Sequence, residues 1–301
     1  MHIIECVPNF SEGRRKEVCE EIRNAMTAVA EIYFLDMELD ADHNRSVFTL
    51  ASTNEEALEK ALLDAVEIAV RRIDLNNHKG THPRMGAVDV IPFVPFGNTT
   101  IDECVDTSKR IGKLIADRFQ IPVYLYEKSA SRPDRANLAD IRKPQFEGLR
   151  EEIGKNPDRV PDFGPNKIHP TAGCVAIGAR FPLIAYNVYL NTPDVSIAKK
   201  IAKRVREKDG GLPTVKALGM FIATRNQAQV SMNLCNYQVT SILTAFEAVY
   251  TEARKLGCEA VSSEIVGLVP QSSLPDDVPE KILLEGFSPE TQIFEIRLRN
   301  V

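Results

Sequence analysis

The apolar periodicity of this chain passes through one order of six elements and then through the same order again. Residues 3–7 form a short apolar run closed by Pro8, and a helical stripe follows Ser11 with Val18, Ile22, Ala25/Met26 and Val29 on one side. Residues 32–35 and 46–50 read as strands. A helix then begins at Thr53-Asn54-Glu55-Glu56, a capping-box pattern, with Leu58, Leu62, Ala65/Val66, Ala69 and Ile73 turned inward. Residues 87–94 read as the next strand. Strand, helix, strand, strand, helix, strand is the split order of a ferredoxin-like unit. A second capping box, Thr100-Ile101-Asp102-Glu103, opens a helix to about residue 119, and residues 123–126 form a strand. The six-element order then returns. It comprises a strand at 183–190, a helix behind Thr192-Pro193-Asp194, a hairpin of 215–223 and 227–235, a helix at 239–256 stopped by Gly257, and a strand at 260–269. Residues 292–298 look like a last strand. The expected fold class is therefore α/β (α+β): two ferredoxin-like βαββαβ subdomains, a tandem duplication enclosing a cleft, with subdomains at 1–178 and 179–301. Residues 128–172, rich in proline and glycine, read as an irregular connection holding one short helix at 145–153. A connection of that length is usually functional or a linker.

Such a sheet carries helices on one face, so its other face must be covered or used. Gln227, Gln229, Ser231 and Asn233 alternate with Ala228, Val230, Met232 and Leu234 and share one face of their strand. Arg45 and Thr49 share a face of theirs. Two such polar rows facing one another would line a cleft, the kind of place ligands favour. Composition narrows the ligand class. The formal charge is −5, with 37 Lys and Arg dispersed among 42 Asp and Glu, which argues against a nucleic-acid partner. No apolar run approaches the roughly 18–20 residues of a membrane span, and the N-terminus lacks the signal-peptide pattern. Six scattered cysteines without a C-x-x-C read as reduced thiols, so a cytoplasmic location is expected.

Residues 76–86 are the densest polar stretch and hold His78 and His82, four apart. Gly80 and Pro83 disfavour the helix that a zinc-ligand pair would need, so proton transfer beside Lys79 and Arg84 is the better reading. Asp36, Glu38, Asp40 and Asp42 recur with period two. As a calcium loop they fail, because Ala41 replaces the glycine and Val47 the closing glutamate; a solvated acidic turn is the plain alternative. Residues 164–173 are bounded by glycines and carry Lys167 and His169, without the spacing of a P-loop or dinucleotide fingerprint.

Seven stretches taken together carry a resemblance. They are Cys6-Val7-Pro8-Asn9-Phe10-Ser11-Glu12-Gly13, Asn44-Arg45, His78-Lys79-Gly80, His82-Pro83-Arg84-Met85-Gly86-Ala87, Pro122-Val123-Tyr124-Leu125-Tyr126, Pro161-Asp162-Phe163-Gly164-Pro165 and Gly178-Ala179-Arg180. Their order and spacing, from residue 3 to about residue 298, resemble the glutamate formimidoyltransferase (formiminotransferase) family, and the chain is similar to the formiminotransferase part of formiminotransferase-cyclodeaminase. The chain stops before a cyclodeaminase domain, so that second activity is expected to be absent. The resemblance implies transfer of the formimino group from N-formimino-L-glutamate to tetrahydrofolate, with tetrahydrofolate as co-substrate and no metal. It implies His82 as the catalytic histidine. It implies folate contacts from Gly164, Pro165, Asn166, Lys167, Ile168, His169, Pro170, Thr171, Ala172 and Gly173, although Lys167 and His169 stand at variable places. On that footing a histidine titrating near neutrality would move the protons. Glu38 or Asp36 would face the cationic amidine, and Arg45, Arg84 and Arg180 would receive carboxylates. The partners expected are small molecules, not nucleic acid or membrane, with a homodimer left open. The rival readings are formyl transfer from N-formylglutamate, cyclisation of 5-formyltetrahydrofolate, and a non-catalytic small-molecule binder.

Overall fold

Strand alternation and helical stripes sort the chain into two units, Met1–Arg180 with Val301, and Phe181–Asn300. A computed structural model describes residues 2–301. In the first unit the strands are β1 (His2–Cys6), β2 (Asn9–Phe10), β3 (Tyr33–Asp40), β4 (Arg45–Ser52), β5 (Val88–Gly97), β6 (Val123–Glu127) and β7 (Val175–Ala179). β1 and β2 lie end to end between β4 and β5, antiparallel to both, while β3 pairs with β4. Beyond β5 come β7 and then β6, in parallel. Three helices, α1 (Lys16–Thr27), α2 (Glu55–Arg72) and α3 (Ile101–Phe119), bury their apolar stripes with one face of this sheet. Leu58, Leu62, Ala65, Val66 and Ala69 of α2 are buried as their spacing requires.

The other sheet face is divided. The connection after β6 contains α4 (Leu138–Arg142) and α5 (Gln145–Glu152), and Ile141, Leu149 and Ile153 pack on Val90, Tyr124, Tyr126 and Ala176. The connection thus covers the β5–β7–β6 part of that face. The part built by β2, β3 and β4 carries Asn9, Asp36, Glu38, Arg45 and Thr49, while Met37, Leu39 and Phe48 turn to the helical core.

The second unit has β8 (Ile184–Leu190), α6 (Val195–Val205), β9 (Val215–Ile222), β10 (Gln227–Leu234), α7 (Ile242–Lys255) and β11 (Ala260–Val266), in sheet order β11-β8-β10-β9 with all pairs antiparallel. Ala228, Val230, Met232 and Leu234 enter its core as the alternation of β10 demands. Three short helices follow: α8 (Val278–Lys281), α9 (Pro289–Gln292) and α10 (Phe294–Arg299).

Several local expectations change. Most of the strand expected at 292–298 is helical: Phe294–Arg299 form α10 with Phe294 buried, while Ile293 before it is extended and bridges to Val269. Residues 175–179, expected at the subdomain boundary and not as an element, form the buried strand β7. The cap of α2 is Asn54, whose side chain accepts from the Glu56 and Ala57 amides, not Thr53. The cap of α6 is Asp194, not Thr192. The box at Thr100 and Glu103 forms in both directions.

Candidate active site

The sharp β3–β4 turn sets the position of everything else here. Asn44 takes a left-handed backbone, φ 51°, and its buried side chain ties two other segments to the turn. Oδ1 accepts from the Gly13 amide at 3.0 Å, and Nδ2 donates to the Lys79 carbonyl at 3.1 Å. Both segments approach so closely that only glycine fits. A Cβ on Gly13 would lie 2.3 Å from the Asp40 carbonyl oxygen, and one on Gly80 would lie 2.1 Å from that of His43. The His78–His82 loop is thereby fastened against the turn that begins β4. An Asn44→Ala protein is expected to lose about 1–3 kcal/mol of stability, the cost of leaving the buried Gly13 amide unsatisfied and the part-buried Lys79 carbonyl without its donor. It should also lose more in kcat than in either KM; unchanged urea midpoints would contradict this.

His82 reaches from this loop to Arg45, the first residue of β4. Its Nε2 lies 2.6 Å from Arg45 Nη1. A guanidinium only donates, so Nε2 accepts and the neutral ring carries its proton on Nδ1. Arg45 Nη2 donates to Asn9 Oδ1 on β2. The His43 ring stands edge-on to His82, with ring centres 6.0 Å apart. Burial, then the positive charges of Arg45 and Arg142, push the His82 imidazolium down to about 3. The near-neutral titration expected from sequence therefore does not hold: at neutral pH His82 is an unprotonated base.

The charges around Arg45 come from three elements. Burial lowers its pKa to about 10, with Asp89 of β5 opposing that shift and Arg142 of α4 adding to it. Glu38 sits one strand away on the face it shares with Arg45. Burial and neighbouring Asp36 raise its carboxyl above the ordinary range, and Arg45 pulls it back. The sheet face thus brings His82, Arg45 and Glu38 together. Asn9, Asp89 and Arg142 complete the group. Asn9 stands within the motif quoted above for the resemblance, whereas Asp89 and Arg142 belong to no local pattern.

The other expected residues are placed differently. His78 donates from Nε2 to the Asn44 carbonyl at 2.8 Å and accepts at Nδ1 from Arg84 Nε at 3.2 Å, so both ring nitrogens are engaged. Arg84 forms a two-pronged pair with Glu147 of α5, at 2.7 and 2.6 Å, and its carbonyl accepts from the Phe146 amide. Its guanidinium fastens α5 to the histidine loop. Arg180 follows β7, and its side chain hydrogen-bonds Tyr126.

Residues 164–173 run beside the same loop. Leu75 donates to the Thr171 carbonyl at 2.9 Å, Asn76 Nδ2 to that of Pro170 at 3.0 Å, and Ala87 to that of Ala172 at 2.8 Å. His169 turns inward on this segment, its Nδ1 accepting from the Ala172 amide at 2.9 Å. Gly173 takes φ 70°, where a Cβ would strike the Met85 carbonyl at 2.2 Å. The segment and the His82 loop are thus stitched together at both ends of the loop. Among the described residues, no group of three or more His, Cys, Asp or Glu is gathered as metal ligands.

Comparison with known proteins gives matches over most of the chain. The family model described as the formiminotransferase domain, N-terminal subdomain, matches residues 3–180, and that of the formiminotransferase domain matches residues 185–277. A glutamate formimidoyltransferase of Streptococcus pyogenes serotype M1 is 44% identical over 98% of each chain. One of Thermoplasma acidophilum is 46% identical over 99% of this chain and 98% of that protein. A formimidoyltransferase-cyclodeaminase of Rattus norvegicus is 40% identical over 91% of this chain and 51% of its own length.

Proposed function

Because the chain belongs to the formiminotransferase family, we infer that it catalyses glutamate formimidoyl transfer: the formimino group of N-formimino-L-glutamate passes to tetrahydrofolate, giving 5-formiminotetrahydrofolate and L-glutamate. Full-length similarity to relatives bearing that activity in their names is the observation that carries the reading. It makes the protein a folate-dependent one-carbon transferase of histidine degradation. Both units are read as ferredoxin-like repeats, a reading supported by their shared strand order, in which the first and third strands are central. The six cysteines, none of them in a disulfide among the described residues, support a reducing, cytoplasmic setting.

The residues supply the steps as follows. N5 of tetrahydrofolate attacks the amidine carbon, forming a C–N bond and a tetrahedral centre. The proton lost by N5 passes to His82 Nε2. The same imidazolium returns it to the glutamate nitrogen as the bond from that nitrogen to the formimino carbon breaks. Glu38 lies where a carboxylate can face the positive amidine. Residues 164–173 hold the folate, a role supported by their hydrogen bonds to the loop that carries His82.

The decisive assay is glutamate release from purified protein and tetrahydrofolate, given N-formimino-L-glutamate or N-formylglutamate in turn. Release with the formimino donor is expected. Release only with the formyl donor, or binding of folate without turnover, would replace this reading. A Glu38→Gln enzyme is expected to bind the formimino donor more weakly by about 1.5–3 kcal/mol, the range for one charge-assisted contact, with the tetrahydrofolate KM little altered. Unchanged donor kinetics would remove Glu38 from the site.

A further inference from the structure

We propose that Arg45 and Arg142 form a carboxylate-binding pocket beside His82, that Asp89 holds Arg142 in it, and that the pocket takes the α-carboxylate of the amino-acid donor. The inference rests on the formimidoyl-transfer reading for the identity of the donor, and on geometry for the pocket.

Arg142 ends α4, a five-residue helix in the connection, and its side chain is 11% exposed. Its Nη2 lies 2.7 Å from Oδ2 of Asp89, whose side chain is 2% exposed. This is an ion pair with angles outside those of a hydrogen bond. Arg142 Nε and Nη2, Arg45 Nε and Asp89 Oδ2 are all buried, and among the described residues none has a hydrogen-bond partner. Asp89 is fixed from its other oxygen, which accepts from the Met85 amide at 2.8 Å, three residues beyond His82. One buried carboxylate thus serves two guanidiniums that repel each other. Charged donors without hydrogen bonds are costly to bury, and a ligand that supplies the missing acceptors would offset that cost. Two planar guanidiniums with donors to spare match the two oxygens of a carboxylate.

Position selects the carboxylate. Arg45 Nη1 is 2.6 Å from His82 Nε2, the atom that must reach the departing nitrogen. In the donor, the α-carboxylate is attached to the carbon that bears that nitrogen. The γ-carboxylate lies two methylenes further along. The glutamate tail of folate is separated from N5 by an aminobenzoyl ring, so it cannot sit here while N5 does. An α-carboxylate seated on Arg45 also draws that guanidinium off Nε2, freeing the lone pair for the proton from N5.

The test compares wild type, Arg142→Lys, Arg142→Met and the double variant Asp89→Asn/Arg142→Met, which removes both charges and so strands neither. Steady-state constants are measured for both substrates. Equilibrium binding of L-glutamate, L-isoglutamine (the α-amide) and L-glutamine (the γ-amide) is measured by calorimetry without turnover. The wild type should bind L-glutamate and L-glutamine at least about 10-fold more tightly than isoglutamine. The Met variants should raise the donor KM about 10- to 100-fold, keep the tetrahydrofolate KM within about twofold, and lose the discrimination against isoglutamine. Lysine should restore part of both. A double variant that folds and keeps wild-type donor KM and discrimination overturns the proposal. So does a loss confined to tetrahydrofolate, which would assign the pocket to the folate tail, or discrimination only against L-glutamine, which would assign it to the γ-carboxylate. Wild-type protein that discriminates against isoglutamine in binding but transfers no formimino group would sink the activity assignment while supporting the pocket.

Discussion

A His82→Ala enzyme is expected to turn over N-formimino-L-glutamate at least about 10²-fold more slowly than wild type, with folate binding and fold retained, since general acid–base transfer contributes about 10²–10⁴-fold. The fold should tolerate the change because His82 is a half-buried loop residue whose ring contacts arise from Arg45 and His43, not from the core. His78→Ala should behave in the opposite way. His78 bridges Asn44 and Arg84, so its loss should cost stability and leave kcat less affected. If the two variants rank the other way in kcat, the proton-transfer role does not belong to His82. The pH dependence carries a second check. Burial and the guanidiniums hold His82 neutral down to about 3, so its acid limb in kcat/KM, which reports the free enzyme, should fall far below its ordinary 6.5. The sign for stability follows. The unfolded chain binds this proton from about 6.5 downward and the folded chain does not, so stability contributed by neutral His82 is full above 6.5 and declines as the pH drops toward 3. An acid limb in kcat/KM near 6.5 that disappears with His82 would contradict the charge arrangement at Arg45.

The periodic parts of this fold were legible because helices and strands of this kind bury a stripe or a face. The stripes of α2 and α7, the box at Thr100 and the alternation of β10 each follow from side chains that must leave water on one side. What was hidden had no such signature. β7 is five residues long, buried on both faces between β5 and β6, and follows a long polar connection, so its short apolar run is indistinguishable from the edge of a linker. Residues 294–298 place apolar side chains at positions that fit either period; they are helical, with Phe294 buried and Ile296 packed against the second core. The site divides in the same manner. His82 and Arg45 stand out as polar residues in dense motifs. Asp89 and Arg142 are a lone acid in an apolar strand and a base in a charged connection, 53 positions apart, and only the packing of α4 on the sheet makes them neighbours.

That connection is held by a second buried ion pair as well, and Asp162→Ala is expected to be among the most damaging substitutions in the first unit. Arg135 and Asp162 have side chains 5% and 8% exposed, with Nη1 and Oδ2 2.6 Å apart. Asp162 Oδ2 also accepts from the Leu125 amide of β6 at 2.8 Å, and Ser131 donates to Oδ1. Arg135 Nη2 donates to the Val160 carbonyl at 2.5 Å, and its guanidinium lies over the Tyr124 ring. Removing the carboxylate strands a buried guanidinium and a strand amide at once, a loss of about 3–5 kcal/mol. At roughly 2–4 °C per kcal/mol for a unit of this size, the melting temperature should fall by about 6–20 °C. Replacing the pair together, as Arg135→Met/Asp162→Leu, should recover part of that loss, because stranding a charge costs more than omitting both. Function should follow the packing. Asp162 stands two residues before Gly164, so loosening it should raise the tetrahydrofolate KM at temperatures where the protein is still folded, and leave the donor KM closer to normal. A Tm within about 2 °C of wild type for Asp162→Ala would show that the connection is held by the apolar contacts of Ile141 and Leu149 rather than by this pair.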